Sequence, residues 1–147
     1  MNARQTVQFL LDAIQNAEWE KAKSLLATDF QFSGPVPQPI SADAWIGMSK
    51  NLKKAFPNLE YNFRAFSQDG DTVKISAQLK GTHSADLDLT AMQWGVIPAT
   101  HKQFAAALEH GEITVKGDKV VRWANEITPG AGLVAILEQL DVKVPTV

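Results

Sequence analysis

Glu109, Asn125 and His83 are polar side chains that fall on otherwise apolar stripes of this chain. Between Phe104 and Ile127 the sequence alternates around Gly117-Asp118, which reads as a β-hairpin. A three-residue loop pairs Val115 with Val121 and Ile113 with Trp123, and so collects the apolar side chains on one face. The same register sets Gly111 opposite Asn125 and Glu109 opposite Ile127 on that inner face, joined by Ala105 and Ala107 if no bulge intervenes. Counting by twos from Val73 through Ile75, Ala77, Leu79 and Gly81 turns His83 inward as well. A glutamate among Ala, Ile and Trp has its pKa raised by desolvation, as a general base near neutrality requires. An amide such as Asn125 polarises a carbonyl or holds a ligand oxygen. The candidate catalytic groups are therefore Glu109, His83 and Asn125. Each also has a plainer reading: Glu109 as a solvated rim residue, His83 bonded to a carbonyl at a strand end, and Asn125 satisfying a bulge or a buried backbone group.

A slip of one residue in the hairpin exchanges the faces, and His110 and Glu126 then become the acid–base pair. In the first register they lie outside, together with Thr114 opposite Arg122 and with Phe104, Ala106 and Leu108. Apolar residues on a convex sheet face need a cover, so a homodimer through this face is expected. Phe32, Trp45, Tyr61, Phe63, Trp94 and Trp123 can wall a cavity for a planar or polycyclic ligand, although core packing is the commoner use of such residues. Trp94 stands in an irregular stretch, Ser84 to Lys102, and is the best placed to touch a ligand or act as a lid. His83, His101 and His110 are too scattered for a metal motif, and no cofactor is expected.

The elements that must position these groups follow from periodicity. Val7, Leu10, Leu11 and Ile14 recur at helical spacing, and Trp19, Ala22, Leu25 and Leu26 give a second, shorter helix ending near Ala27. Asp29 to Ser33 suits a short strand, and the proline-rich GPVPQP that follows is an extended loop. Ser41 caps a third helix with Asp43 in its first turn; Trp45, Met48, Leu52, Ala55 and Phe56 form its apolar face, and Pro57 stops it. After Pro57 the period falls to two. Tyr61, Phe63 and Ala65, a turn at Asp69-Gly70-Asp71, then Val73 to Leu79 make a hairpin. Thr128-Pro129 starts a terminal helix that carries Leu133, Ile136, Leu137 and Leu140.

Composition narrows the classes. The chain has 147 residues, 45% hydrophobic and 20% charged, which fits one globular domain over residues 1–147. It has no cysteine, which removes thiolate nucleophiles, disulfides and cysteine-ligated metals. A formal charge of −2 offers no basic surplus for nucleic acid. No apolar run approaches the roughly 20 residues that span a bilayer. The amino-terminal stretch does not read as a signal peptide, so the cytoplasm is the expected location.

The chain resembles the nuclear-transport-factor-2-like superfamily, and within it the SnoaL-like polyketide cyclase branch related to ketosteroid isomerase. WEKAKSLLATDFQF, Phe56-Pro57-Asn58-Leu59, Gly81-Thr82-His83, Pro98-Ala99-Thr100 with Lys102, and Gly117 to Trp123 are similar to family segments in order and spacing. The resemblance implies an aspartate acting as acid and base a few residues after the tryptophan. Here Trp123-Ala124-Asn125-Glu126-Ile127-Thr128-Pro129 has none; spacing from the tryptophan puts Ile127 at that position, and spacing from the proline puts Thr128 there.

The expected architecture is α+β: a cone-shaped, barrel-like curved antiparallel sheet with N-terminal helices on its concave face, enclosing one apolar pocket. Two functions suit it. One is a cofactor-independent isomerase, cyclase or hydrolase on a small apolar molecule, working by proton transfer with Glu109, His83 and Asn125, and with Trp45, Tyr61, Trp94, Trp123 and Phe32 against the ligand. The other is a non-catalytic ligand-binding or dimerisation module.

Overall fold

A computed structural model describes residues 2–34, 38–90 and 93–143. The first helix, α1 (Ala3–Gln15), opens on Asn2, whose side chain and that of Gln5 cap each other's backbone N–H groups. Its buried stripe of Val7, Leu10, Leu11 and Ile14 is the one the spacing predicts. The second helix, α2 (Trp19–Ser24), ends earlier than Ala27. Leu26 is recruited instead into β1 (Leu26–Ser33), where it pairs with Val120. A short β2 (Ile40–Ser41) precedes α3 (Ala42–Ala55), which is capped by the Ser41 hydroxyl accepting from the Ala44 N–H. Pro35 to Pro37 of the proline-rich loop lie outside the described residues.

The expected strand from Tyr61 begins only at Arg64. Asn62 adopts a left-handed backbone (φ 51°) and donates to the Gln78 carbonyl. The Gln15 side chain, meanwhile, takes the Tyr61 N–H. β3 (Arg64–Asp69) and β4 (Thr72–Ala77) then form the hairpin, turning at Gly70 (φ 61°). Two strands expected to run on are broken at the same level. One stops at Ala77 and resumes as β5 (Lys80–Thr82). The other is split into β8 (Gln103–Ala105) and β9 (Glu109–Lys116), and β5 pairs with β8. Between them, Ala106 donates to the Leu79 carbonyl and Ala107 to that of Gly130. This shared break is what bends the surface over the helices. It also corrects the expectation for Phe104 and Ala106, which turn into the core, Phe104 meeting Phe56 edge-on at 4.8 Å.

The irregular stretch holds β6 (Leu87–Asp88) paired with β7 (Val96–Ile97); Ala91 and Met92 lie outside the described residues. β10 (Lys119–Asn125) follows a two-residue turn, not a three-residue one. Val120 therefore pairs with Val115, and a bulge at Val121 restores the expected partners, Ile113 with Trp123 and Gly111 with Asn125. The final helix, α4 (Leu133–Gln139), starts after Gly132 instead of at Pro129.

The main sheet has the order β2-β1-β10-β9-β4-β3, with β1 and β10 parallel and the other pairs antiparallel. It is α+β as expected, but the sheet has two free edges and among the described residues no barrel closes. α1 packs across β9, β3 and β4, and its buried stripe joins one core with Ile75, Ile113 and Trp123. Among the described residues no helix is long and apolar enough to cross a membrane.

Candidate functional site

The core is incomplete at one end of the bent sheet. A cavity of about 370 Å³ opens between the inner face of β9 and β10, α1, α3 and α4. α3 turns Trp45, Met48, Ser49 and Leu52 toward it at the i, i+3, i+4, i+7 spacing of one helix face. α1 contributes Ile14, and α4 covers it with Leu133 and Ile136.

The aromatic wall is continuous. Tyr61 stacks on Phe63 at 4.7 Å, Phe63 meets Trp123 edge-on at 5.8 Å, and Trp123 lies 5.0 Å from Trp45. Phe32 closes the group against Trp45 and Trp123, at 6.0 and 6.1 Å. Phe32, Trp45, Tyr61, Trp94 and Trp123 all line the cavity, and most are also core residues. The Tyr61 hydroxyl is buried without a partner among the described residues, and burial pushes its pKa up, so it stays a neutral phenol.

Two of the three expected catalytic groups are brought together. Glu109 opens β9 facing the cavity at 9% exposure, and burial raises its pKa. Among the described residues its carboxylate has no hydrogen-bond partner, so nothing offsets the desolvation that moves the pKa upward. Asn125, on the inner face of β10, accepts a 2.8 Å bond from the Trp123 indole N–H.

His83 is placed elsewhere. It is fully buried (0% exposed), packs edge-on against Phe56 at 5.5 Å, and does not line the cavity. Its Nδ1 accepts from the Thr100 N–H at 3.2 Å and lies 3.0 Å from the Thr100 hydroxyl, while burial lowers its pKa. The strand break after Ala77 carried it away: the count by twos does not survive a bend. The alternative pair is not formed inside either. His110 and Glu126 are exposed on the outer face, where the Glu126 N–H donates to the His110 carbonyl and the His110 ring stands edge-on to Phe66 at 6.0 Å.

The inner-face counts turn Leu79 and Ile127 inward, as they lie, but sequence reasoning missed Ser49 and the α4 residues as parts of the wall. The α3 periodicity carried the signal for Ser49, one turn from Trp45, whose carbonyl takes its hydroxyl at 2.9 Å. Nothing local signals the α4 residues, which reach the cavity through the docking of that helix. Among the described residues no three His, Asp or Glu side chains converge as a metal centre would need.

Comparison with solved structures gives the same fold. IdmH, a proposed polyketide cyclase from Streptomyces antibioticus, is 21% identical with a TM-score of 0.72 over 97% of this chain and 100% of that one. A proposed polyketide cyclase from Xanthomonas campestris pv. campestris is 16% identical with a TM-score of 0.72 over 94% and 96% of the two chains. A Catenulispora acidiphila protein of ketosteroid isomerase-like fold, in complex with trimethylamine, is 14% identical with a TM-score of 0.66 over 94% and 93%. Comparison with curated proteins gives no match. Residues 4–127 match the SnoaL-like polyketide cyclase family. With most of its length matched and its bent sheet and helices shared with those structures, the chain belongs to the SnoaL-like polyketide cyclase family.

Proposed function

We propose that this chain is a cofactor-independent enzyme that moves protons on a small, largely apolar carbonyl compound, with Glu109 as its acid–base group. The observation that carries this reading is a carboxyl group in the wall of an apolar cavity, unpaired among the described residues and raised in pKa by burial. Such a group is a stronger base than a solvated carboxylate and sits nearer neutrality, where proton abstraction and return are both accessible. Family membership supports a small-molecule cyclase- or isomerase-type activity. Spacing from the tryptophan puts the aspartate that the resemblance implies at Ile127, which lines the cavity, and spacing from the proline puts it at Thr128. Continuing the Gly111–Asn125 register by two residues sets Glu109 across from Ile127, so β9 would supply the carboxylate that β10 lacks.

The step balances without a further reagent. The Glu109 carboxylate takes a proton from the carbon beside the carbonyl. The C–H pair becomes a C=C bond, and the carbonyl π pair moves onto oxygen, where the Asn125 amide donates a hydrogen bond. Isomerisation returns the proton to another carbon. Cyclisation instead closes a C–C bond onto a second carbonyl of the same molecule, whose oxygen takes the proton back from Glu109. Among the described lining residues there is no Lys, Arg or His, which favours a neutral substrate over an anion. The cavity volume suits a molecule of two or three fused rings.

The test uses 2-tetralone as an enolisable probe, with NMR to follow deuterium uptake beside its carbonyl. Wild type should catalyse exchange and Glu109→Gln should not, while Ile127→Asp in the Glu109→Gln background should recover part of it. Equal exchange by wild type and Glu109→Gln removes Glu109 from the mechanism.

A second reading, a ligand-binding module without turnover, is favoured by the lack of a second proton shuttle among the described cavity residues, since His83 lies elsewhere and Tyr61 is pushed away from neutrality. It predicts a co-purified molecule, seen by native mass spectrometry, that is held unchanged. A homodimer through the outer sheet face belongs to the proposal under either reading; Phe66, 44% exposed beside His110, supports it.

A further inference from the structure

The polar end of the cavity is built around one amide. The Trp123 indole N–H is a donor only, so the group it meets at 2.8 Å must be the Asn125 carbonyl oxygen. That bond turns the amide oxygen onto the indole and leaves the NH2, for which there is no partner among the described residues, as the remaining donor of a side chain that lines the cavity. The strands on either side of β10 make room for this arrangement. A Cβ on Gly111 of β9 would overlap the Asn125 amide oxygen and come within 3.3 Å of its Cγ. One on Gly34, just past β1, would lie 2.8 Å from the Asn125 backbone carbonyl oxygen and 3.1 Å from its Cβ, which holds the strand and not the amide. Gly111 has no φ in the left-handed region, so its need for glycine is spatial; it lies beneath the folded-over amide.

We infer that Trp123 and Gly111 hold the Asn125 amide with its oxygen on the indole and its NH2 free to donate, so that the cavity selects a ligand presenting an acceptor oxygen, a carbonyl, against β10 and rejects isosteres that lack one. Trp123 is thereby a positioning residue, acting through Asn125. A site built to donate loses a hydrogen bond when the ligand offers no acceptor yet displaces the water that would otherwise serve the NH2. The orientation also has a sign: a ligand hydroxyl gains less than a carbonyl, since only its oxygen lone pairs are of use here. The inference rests on the cavity being a small-molecule site, as proposed above, and not on any turnover.

Three planar probes of one shape test it: 9-fluorenone, 9-fluorenol and fluorene, with binding followed by quenching of tryptophan fluorescence and the bound ketone by its infrared carbonyl stretch. Wild type should bind fluorenone about tenfold tighter than fluorene, with fluorenol between them, and should shift the carbonyl stretch to lower frequency. Asn125→Asp keeps an oxygen for the indole N–H but turns an acceptor toward the ligand; it should lose the fluorenone preference and the shift. Trp123→Phe removes the indole donor and frees the amide to rotate, so the shift should broaden or shrink and the ratio of fluorenone to fluorene affinity should fall toward one. Gly111→Ala should behave like Asn125→Asp, and if it fails to fold the other two variants still decide. Equal affinity of wild type for fluorenone and fluorene, an unshifted carbonyl, or binding of neither probe overturns the inference. Fluorenone selectivity in a protein whose Glu109→Gln variant exchanges deuterium as fast as wild type would sink the proton-transfer reading and leave this one standing.

Discussion

Glu109 and His83 are both ionisable and both withdrawn from water, yet their surroundings differ in kind. His83 lies where the shared strand break is packed solid: Phe56 covers its ring and Thr100 engages its Nδ1 through both the backbone and the hydroxyl. Glu109 lies where the packing stops, on the wall of a cavity, with no partner among the described residues. Desolvation moves each pKa toward the neutral form, up for the acid and down for the base. Burial alone therefore does not mark a reactive group. What separates the two is where the unsatisfied atom lies: the His83 Nε2 is buried within the packing without a partner among the described residues, whereas the Glu109 carboxyl faces a cavity, where a substrate can supply the missing contact.

The contrast breaks most sharply under substitution. Glu109→Gln should reduce deuterium exchange into 2-tetralone by about 10²–10⁴-fold, the usual worth of a general base, while leaving the fold intact. His83→Gln should leave exchange within a few-fold of wild type. At the packed end, Phe104→Ala removes a ring that fills the core against Phe56 and should cost about 3–5 kcal/mol in urea denaturation, with the cavity end unaffected in its probe binding. His83→Ala, which strands the Thr100 N–H and opens a void, should cost about 1–3 kcal/mol.

The two ends also differ in how much of them could be read from residues alone. The β9–β10 inner face was legible because its period of two is unbroken from Glu109 to Lys116, and because apolar partners fix the register even though the turn has two residues and a bulge makes up the count. Glu109 and Asn125 therefore arrive where the alternation places them. His83 does not, since the alternation from Val73 crosses a bend that nothing local announces: Gln78 and Leu79 are ordinary strand residues that leave the ladder to pair with Tyr61 and Ala106. The same bend buries Phe104 and Ala106. The cover that α4 gives the cavity depends on how its far end is held. The Gln139 amide exchanges two 2.9 Å bonds with the Ala105 backbone, and Lys102 pairs with Asp141. Such long-range ties have no periodic signature.

A smaller effect sharpens the contrast through pH. Because the folded-state pKa of Glu109 is raised, its neutral form is the one the fold prefers. Wild type keeps that stability below the ordinary glutamate pKa and loses it as pH rises through the raised value. Glu109→Gln should then be more stable than wild type at neutral pH, by on the order of 1 kcal/mol, with the gap closing toward acid. Exchange activity should run the opposite way, rising with pH as the carboxylate forms. The smallest effect is expected at the outer face: Phe66→Glu should lower the dimer fraction in sedimentation at micromolar concentration, and a wild type that is already monomeric there would remove the dimer from the account.

The most direct measurement is the titration of the Glu109 side-chain carboxyl by carbon-detected NMR, with Glu112 and Glu126 on the exposed side of the same hairpin as internal references. Glu109 should titrate clearly above both, and fluorenone occupying the cavity should displace its midpoint further while the references stay still. A Glu109 midpoint coincident with the exposed glutamates and indifferent to the ligand would show a solvated carboxylate at the rim, and the proton-transfer account would fail.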